Sequence, residues 1–287
     1  MSLFPSGAGP TLALPEFKSI AIKGPYHASA PIYLALSVAE KYPDTRIVMI
    51  TPSRDALSAA LQEHKDSWMI ENAGNGSVLE FADCTVVYYP PTPAHFSYLV
   101  SSLSTNVEGS DPKAILYRPP SLMVLIELSA YFMLDVEADP DHHQWTLSSY
   151  LTLVARSLAA VAVLSSSADV RKHPSELSLA LFDSNLDNLR LPVLKQPLAD
   201  LGRSPSTVRK EVVARYVQKY FELFAVVEED DDVNLTPSQE ADAEIQEAGR
   251  QRWNRMRIYG QGDVLLSCLK WLEARDPQTD GVVFSWN

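Results

Sequence analysis

The chain has 287 residues, and 46% of them are hydrophobic, which is enough for the core of one large domain or of a core domain with an appendage. Its formal net charge of -12 argues against a protein that binds nucleic acid over its whole surface, because such a protein needs clustered lysine and arginine. Only two cysteines occur, Cys84 and Cys268, so neither a disulfide framework nor a cysteine-based zinc site is expected.

Hydropathy patterns bear on localisation. The first residues do not combine a basic region with a sustained apolar run, so they are not typical of a secretory signal. The apolar stretch SLMVLIELSAYFML is shorter than the roughly 18 residues of a membrane span, and it contains Glu127. Together with the low cysteine content, these features predict a soluble protein of the nucleus or cytoplasm, with no membrane partner.

The predicted elements begin after a proline-rich and glycine-rich stretch, residues 1–16, which predicts a flexible lead-in. From residue 17 the chain predicts a strand, a helix and a second strand: KSIAI, then APIYLALSVAEKY with Pro31 in its first turn, then RIVMI. A further helix is predicted for SRDALSAALQEHKDSWMI, and the polar ENAGNGS that follows predicts a loop.

The alternation of strands and helices continues to about residue 170. Strands are predicted for CTVVYYP, KAILYRPPS and AAVAVLSSS, and helices for AHFSYLVSSLS, LMVLIELSAYFML and TLSSYLTLVARSL. Length assigns LMVLIELSAYFML to a helix, although a buried strand is the alternative. One or two more strands fit ELSLALFDSNLDNLRLPVLKQPL. This spacing predicts an α/β core domain over residues 17–200, with a mainly parallel sheet covered by helices.

Residues 201–287 predict a helical C-terminal section. The stretch SPSTVRKEVVARYVQKYFELFAVV has the apolar periodicity of an amphipathic helix. Acidic residues over 228–244 predict a linker. After the linker, EIQEAGRQRWNRMRIYG and DVLLSCLKWLEARD predict a pair of helices separated at Gly260 and Gly262.

The turn after the first strand begins at Gly24 and reads GPYHASAP, where a phosphate-binding loop would read G-x-x-x-x-G-K-[ST]. Its last three positions hold Ser29, Ala30 and Pro31. Alanine supplies no ammonium group for the phosphates, and proline supplies neither the hydroxyl that completes magnesium coordination nor a backbone N–H donor. We therefore expect ATP hydrolysis through this loop to be lost.

Hydrolysis of this kind also uses an acidic residue at the end of a later apolar strand, where it holds magnesium or positions water. The stretch AILY, which fits such a strand, is followed by Arg118 and prolines. Glu127 lies nine positions further on and falls inside a predicted helix. The acidic residue is therefore predicted to be absent, and the sequence assigns neither a catalytic residue nor a cofactor.

The order of elements from Phe17 to Ser167, taken with this turn, resembles a RecA-like P-loop domain in a degenerate form. Such domains occur in recombinase paralogues, in Shu-type recombination mediators and in the accessory ring subunits of the Elongator complex. The resemblance implies a subunit that assembles with others through its surfaces, with nucleotide chemistry supplied elsewhere or not at all. A βαβ unit without P-loop ancestry is the alternative.

The sequence predicts neither a metal site nor a nucleophile. Asp141, His142 and His143 are the densest group of possible ligands, but adjacent histidines on a helix point in different directions, and no H-x-x-x-H or C-x-x-C partner occurs. A solvated acidic loop is the favoured interpretation. A G-x-S-x-G elbow and a dinucleotide-binding glycine pattern are both absent.

A basic stretch near the C-terminus, RQRWNRMR, contains four arginines around one tryptophan: Arg250, Arg252, Trp253, Arg255 and Arg257. Arginines with an interleaved aromatic can clamp phosphates and stack a base, which would make this stretch a nucleic-acid or partner contact. The favoured alternative is that these arginines pair with the acidic stretch immediately upstream.

The leading hypothesis from the sequence is a non-catalytic scaffold or interaction subunit of an intracellular complex, in DNA recombination or repair. Trp253, Trp271 and Trp286 lie close together in the C-terminal region, and we expect them to be exposed on a surface for a protein partner. An Elongator-like accessory subunit is a variant of this hypothesis.

A rival hypothesis is an enzyme whose site forms at the carboxyl ends of parallel strands and leaves no linear motif. Tyr26, His27, Arg118 and Ser165–Ser167 would then meet in one crevice. A third hypothesis keeps nucleotide binding without hydrolysis.

Overall fold

The computed structural model describes residues 1–5, 12–105, 114–117, 120–133, 145–167, 177–194, 209–230, 251–276 and 279–286. Among these residues the strands are β1 (Ser19–Lys23), β2 (Arg46–Ile50), β3 (Thr85–Tyr88), β4 (Pro120–Ile126), β5 (Ser178–Asp183), β6 (Arg190–Pro192), β7 (Lys210–Val212), β8 (Leu223–Glu229), β9 (Arg252–Tyr259), β10 (Leu265–Arg275) and β11 (Val282–Ser285). The helices are α1 (Ala30–Lys41), α2 (Arg54–His64), α3 (Ser67–Asn72), α4 (Gly76–Asp83), α5 (Pro93–Ser102), α6 (Leu147–Ser167) and α7 (Ala214–Val217).

One mixed sheet of nine strands organises the molecule, in the order β11-β10-β9-β8-β1-β5-β4-β2-β3. The six strands from β8 to β3 are parallel. Strands β9, β10 and β11 extend the sheet beyond β8 in antiparallel order. Strands β6 and β7 form a separate antiparallel ribbon. The predicted α/β class, with a mainly parallel sheet covered by helices, is confirmed.

The central strands are buried on both faces, which explains their nearly continuous apolar sequences. Every residue of β4 and of β5 is buried. Successive side chains of β4 enter two different cores: Val124 belongs to the core that α1 covers, and Leu125 belongs to the core that α5 and α6 cover. Helix α1 begins with Pro31 in its first turn, where the missing N–H of proline leaves no helical hydrogen bond unmade.

Two stretches differ from their predicted structures: a predicted helix contains a strand, and a predicted strand is part of a helix. The run LMVLIELSAYFML was assigned to a helix, but its first part is strand β4, and Leu128–Phe132 form a short 3₁₀ helix. The stretch AAVAVLSSS was assigned to a strand, but it continues α6, because alanine and leucine favour a helix that is already formed. By length and composition α6 could cross a membrane, and in this fold Leu153 and Val154 pack it against the sheet. In the predicted strand KAILYRPPS, residues 114–117 form only an isolated bridge, between Ile115 and Ser104, and Pro120 and Ser121 begin β4.

The predicted helical C-terminal section is wrong in the described residues, which form mainly strands. In β9 the residues Asn254, Met256 and Ile258 are buried, while the intervening positions are partly exposed. This period of two belongs to a strand with one buried face, although charged side chains between the apolar ones resemble a helical pattern. The predicted long helix before the linker is likewise replaced, in its described part, by β7, α7 and β8.

Two further segments differ from their predicted bounds or character, the acidic linker and the N-terminal lead-in. The predicted linker over residues 228–244 begins inside β8, which ends at Glu229, and Asp230 is fully buried. Residues 231–244 lie outside the described part of the chain. The lead-in over residues 1–16 is not loose where it is described, since Leu3, Phe4 and Leu12 are each about 2% exposed and belong to the core under α1.

Candidate functional site

The turn between β1 and α1 keeps its first glycine for a structural reason. Gly24 has a φ of 88°, in the region that favours glycine. A Cβ atom at this position would lie 2.1 Å from the backbone oxygen of Val227 in the neighbouring strand β8. The glycine therefore permits β8 to approach β1 closely, and phosphate binding is not needed to explain it.

The start of α1 faces a carboxylate of the same chain. Ser29 is fully buried at the N-cap, and its hydroxyl donates to Oδ2 of Asp66 at 2.5 Å. Tyr33, one turn into the helix, donates to Oδ1 of Asp66 at 2.7 Å. Asp66 is only 4% exposed and also caps α3 through the backbone N–H of Met69. A helix N-terminus favours an anion, so Asp66 lies beside the end of α1 that would attract a phosphate.

His27 lies in the same turn and is sealed among aromatic rings. Its ring centroid is 4.7 Å from that of Phe284 and 5.2 Å from that of Phe4. The His64 ring is stacked beside it at 5.8 Å. Burial, followed by the neighbouring His64, lowers the pKa of His27 well below its usual value. His27 is therefore neutral at physiological pH and supplies no positive charge to the turn.

Glu127 corrects the prediction that no acidic residue ends an apolar strand. It follows β4 directly and has a φ of 52°, an uncommon conformation for a residue with a side chain. Its carboxylate accepts hydrogen bonds from the Tyr26 hydroxyl at 2.5 Å and from the Ser184 hydroxyl and backbone N–H at 3.0 Å each. The acidic residue is present, and Tyr26 of the turn occupies one side of it.

A second buried acid, Asp183, ends the adjacent strand β5. Its Oδ2 accepts from the backbone N–H of Ser129 at 2.9 Å and from the Tyr150 hydroxyl at 2.8 Å. Burial, followed by the nearby Glu127, raises the pKa of Asp183 to about 6. The chain leaves β1 toward one face of the sheet and β5 toward the other, which makes this point the usual ligand crevice of an open α/β sheet. Here the crevice contains the protein's own carboxylates and tyrosines.

The signal for these acids is in the sequence. Glu127 and Asp183 each stand at the end of a short apolar run, LMVLI and LALF, and such runs are typical of buried parallel strands. Assigning the first run to a helix hides the role of Glu127. Asp66 has no comparable signal, because it comes from a different element, 37 residues after Ser29.

The described arginines of this stretch lie in β9 and pair with acids of β8 and with Asp230, which follows β8. Arg252 contacts Glu229 at 2.5 Å, and Arg257 contacts Glu228 at 2.6 Å. Arg255 contacts both Glu228 and Asp230, at 2.9 and 3.3 Å. Arg250 lies outside the described residues. The pairing with acidic residues, which the sequence favoured, is therefore found for the described arginines, across strands rather than along a helix.

The three C-terminal tryptophans do not share one exposed surface. Trp271 is 2% exposed, and its indole N–H donates to Glu273 at 2.9 Å. This contradicts the expected exposure of Trp271. Trp253 is half-buried, and Trp286 is half-buried against the core under α1.

The described residues of the predicted enzyme crevice do not converge. Tyr26 and His27 lie in the turn, and Arg118 lies outside the described residues. The first turn of α6 is near this crevice, because Tyr150 bonds to Asp183. Ser165 is 15 residues further along the helix, about 22 Å away at 1.5 Å per residue.

An open cavity of about 710 Å³ lies beside the turn, and we call it the turn cleft. Its walls come from the turn itself, the end of α2, the start of β9 and the end of β10. The side chains that line it include Glu63, Arg252, Trp253, Glu273 and Arg275, with His27 at the turn. No group of three or more potential metal ligands occurs among the residues that the structure describes.

Comparisons with known proteins give a distant likeness in structure. No protein-family model matches the sequence, and no curated protein is significantly similar to it. Among solved structures, the chain is similar to a KaiC-like protein from the hyperthermophilic archaeon Pyrococcus horikoshii OT3, at 11% sequence identity and a TM-score of 0.43. The match covers 96% of this chain and 92% of that chain. A likeness this distant assigns no activity or ligand to this chain.

Proposed function

We propose that this chain is a non-catalytic, RecA-like subunit that acts through its surfaces in an intracellular complex. The observation that carries the proposal is that the protein's own groups fill the turn: Tyr26 bonds to Glu127, and Ser29 bonds to Asp66. A triphosphate would have to displace both contacts and would meet the carboxylate of Asp66. Ala30, at the position of the usual lysine, offers no cation in return.

Because Glu127 is present, fewer features of the protein argue against catalysis than the sequence suggested. Of the two features expected to be missing, only the cation and hydroxyl of the loop are absent from their positions. The carboxylate that remains is bonded to Tyr26 and Ser184, so it would need to exchange these partners before it could hold a magnesium ion.

An exposed apolar patch supports a role in interactions. Val264, Leu265 and Leu266 follow one another at the tip of the hairpin between β9 and β10, and 58%, 53% and 53% of their surfaces are exposed. Consecutive large apolar side chains exposed to water commonly mark a contact with another molecule. We call these three residues the hairpin tip. Trp271, which is buried, contributes nothing to such a surface.

The proposed partner is a protein rather than nucleic acid, because the described arginines of β9 already face acids of β8. DNA recombination or repair is the process that the family resemblance suggests, with an Elongator-like assembly as the alternative. A nuclear or cytoplasmic location belongs to the same proposal.

Copurification of the tagged chain from its native source tests the proposal. Changing Leu265 and Leu266 to Ser should remove a partner that copurifies in a fixed ratio with the wild-type chain. The matched control is Ile70→Ser on α3, which removes a side chain that is 66% exposed but lies elsewhere. Tyr26→Phe should retain the partner. A partner that survives the hairpin-tip change but is lost with Tyr26→Phe would contradict the proposal.

A further inference from the structure

The two edges of the nine-stranded sheet differ in how they are covered. At the edge formed by β11, the backbone N–H of Val282 donates to the carbonyl oxygen of Lys65 at 2.7 Å, and Asp66 forms a parallel bridge with Val282. The turn between α2 and α3 therefore covers the start of this edge strand. The opposite edge is β3, which pairs only with β2 among the described strands.

The hydrogen bonds of β3 show which of its backbone groups face outward. The carbonyl oxygen of Tyr88 accepts from the backbone N–H of Thr51, which follows β2, at 3.1 Å. Since backbone groups alternate in direction along a strand, the N–H and C=O groups of Thr85, Val87 and Tyr89 point away from β2. In the part of the chain that the structure describes, none of these outward groups has a hydrogen-bond partner.

The outer edge of β3 lacks the features that commonly keep sheet edges unpaired, which are charged side chains, proline and bulges. Residues 85–89 read TVVYY, without a charge or a proline. The pairing of β3 with β2 is regular along its whole length. All four residues of β3 are half-buried, whereas the last four residues of β2 are fully buried. The edge is therefore suited to pairing with a further strand.

The helices before and after β3 carry exposed apolar side chains. Helix α4 packs through Phe81 against the core under α1, and α5 packs through Phe96 into the core on the other face of the sheet. On the same two helices, Leu79 is 51% exposed and Tyr98 is 66% exposed. Apolar surface for a contact is therefore available on the elements that flank β3 on both faces of the sheet.

We propose that β3 pairs with β3 of a second copy of this chain, antiparallel and about a two-fold axis at Val87. In this register Val87 faces Val87 of the other copy, and Thr85 faces Tyr89. Each of these facing pairs exchanges two backbone hydrogen bonds, which satisfies the outward groups. Between them Val86 faces Tyr88, and a β-branched residue opposite an aromatic one stabilises an antiparallel pair.

A second copy fits this edge because the edge is complementary to itself. Residues 85–89 are uncharged, so the register places no like charges opposite each other, although the chain has a net charge of -12. The next outward position is Pro91, which has no N–H to donate, so the pairing ends after Tyr89. Symmetric pairing uses the β3 edge of both copies, and assembly through this edge therefore stops at a dimer.

Sedimentation equilibrium of the full chain at micromolar concentration tests this inference, and the wild-type chain should be a dimer. Val87→Pro removes an outward N–H and leaves the ladder with β2 intact, because proline is accepted where the N–H of an edge strand faces outward. It should weaken dimerisation roughly tenfold or more, since both copies lose a hydrogen bond at the axis. The control is Ile70→Ser, at a position 66% exposed on α3, a helix that contacts β11 at the opposite edge, and it should leave the dimer unchanged.

Engineered cysteines test the register without relying on proline. They are placed in a chain with Cys268→Ser, which removes the exposed thiol. Val87→Cys should give a disulfide-linked dimer on mild oxidation, because residues facing each other in such a pair have Cα atoms roughly 5.5 Å apart. Thr85→Cys, an equally small change on the same strand, should not, since the two copies of position 85 would lie about 14 Å apart.

A monomeric wild-type chain, a dimer that Val87→Pro leaves unchanged, or cross-linking of Thr85→Cys as efficient as that of Val87→Cys would overturn the inference. A monomeric chain that loses a copurifying protein with Val87→Pro would show that β3 binds a strand of a different protein, which also overturns it. Changing Leu265 and Leu266 to Ser should leave the dimer intact, so the β3 dimer and the subunit role of the hairpin tip can fail separately.

Discussion

At the scale of single residues, the turn after β1 shows how a glycine can be required by packing. Gly24 combines a positive φ with a backbone oxygen of β8 where a Cβ atom would lie. Gly262, near the hairpin tip, also has a positive φ, of 74°, but no atom lies within 4 Å of its Cβ position. Both positions have a positive φ, but only at Gly24 would a Cβ atom collide with a neighbouring strand.

Alanine substitutions separate these two requirements. Gly24→Ala should lower the free energy of unfolding by about 3 kcal/mol or more, because it adds the cost of overpacking to that of a strained φ. Gly262→Ala should cost roughly 1–2 kcal/mol, for the φ alone. Urea denaturation followed by circular dichroism measures both. Equal losses would mean that β8 does not constrain the turn.

Two histidines with lowered pKa values make stability depend on pH. His27 and His64 both have a pKa lowered by burial, so below pH 6.5 the unfolded chain binds protons that the folded chain does not. Stability should therefore fall as the pH decreases through this range, by up to about 1.4 kcal/mol per pH unit for each histidine. The raised pKa of Asp183 acts in the opposite direction between its folded value of about 6 and the usual value of 3.8.

Comparing the wild-type chain with His27→Gln isolates the histidine contribution, since Asp183 is common to both. The free energy of unfolding at pH 7.5 and at pH 5.5, obtained from urea titrations, should fall less in the variant. A steeper fall in the variant would mean that His27 is charged in the folded protein.

At the scale of elements, the C-terminal strands depend on a buried acid. Arg255 of β9 and Lys270 of β10 lie directly opposite each other, an arrangement of like charges that destabilises a sheet. Asp230 lies between them, fully buried, 3.3 Å from Arg255 and 2.6 Å from Lys270. The acid links the end of β8 to both added strands and favours their register.

Replacing this acid tests its role. Asp230→Asn should reduce the free energy of unfolding by about 2 kcal/mol, because Lys270 loses its contact with this acid and Arg255 keeps only its contact with Glu228. Glu229→Gln removes one partner of the more exposed pair with Arg252 and should cost less than about 1 kcal/mol. Chemical denaturation of both variants makes the comparison. Similar costs would mean that Asp230 acts only as a surface charge.

At the scale of the whole molecule, the parallel core could be predicted from the sequence, because its strands and helices alternate at regular spacing. The loss of the loop cation could also be predicted, since it depends on the local identities of Ala30 and Pro31. Glu127 was missed because a fully buried strand has no alternation that separates it from a helix. Asp66 could not be found, because its role depends on tertiary contacts with Ser29 and Tyr33.

Local sequence patterns also could not predict that β9, β10 and β11 extend the sheet. These strands bury one face on the core under α1, through Met256, Leu269 and Phe284, and leave charged side chains on the other face. Propensity alone favoured helices there, and packing against the parallel sheet decided otherwise. The result is one continuous sheet that ends in an exposed apolar hairpin tip.

Calorimetric titration of the wild-type chain with ATP and magnesium at millimolar concentration tests the central claim most directly. If the turn is filled by Tyr26, Asp66 and their partners, no saturable heat should appear. Saturable, magnesium-dependent binding that Glu127→Gln abolishes would contradict the account, because it would show that the turn opens to a triphosphate and that Glu127 holds the metal.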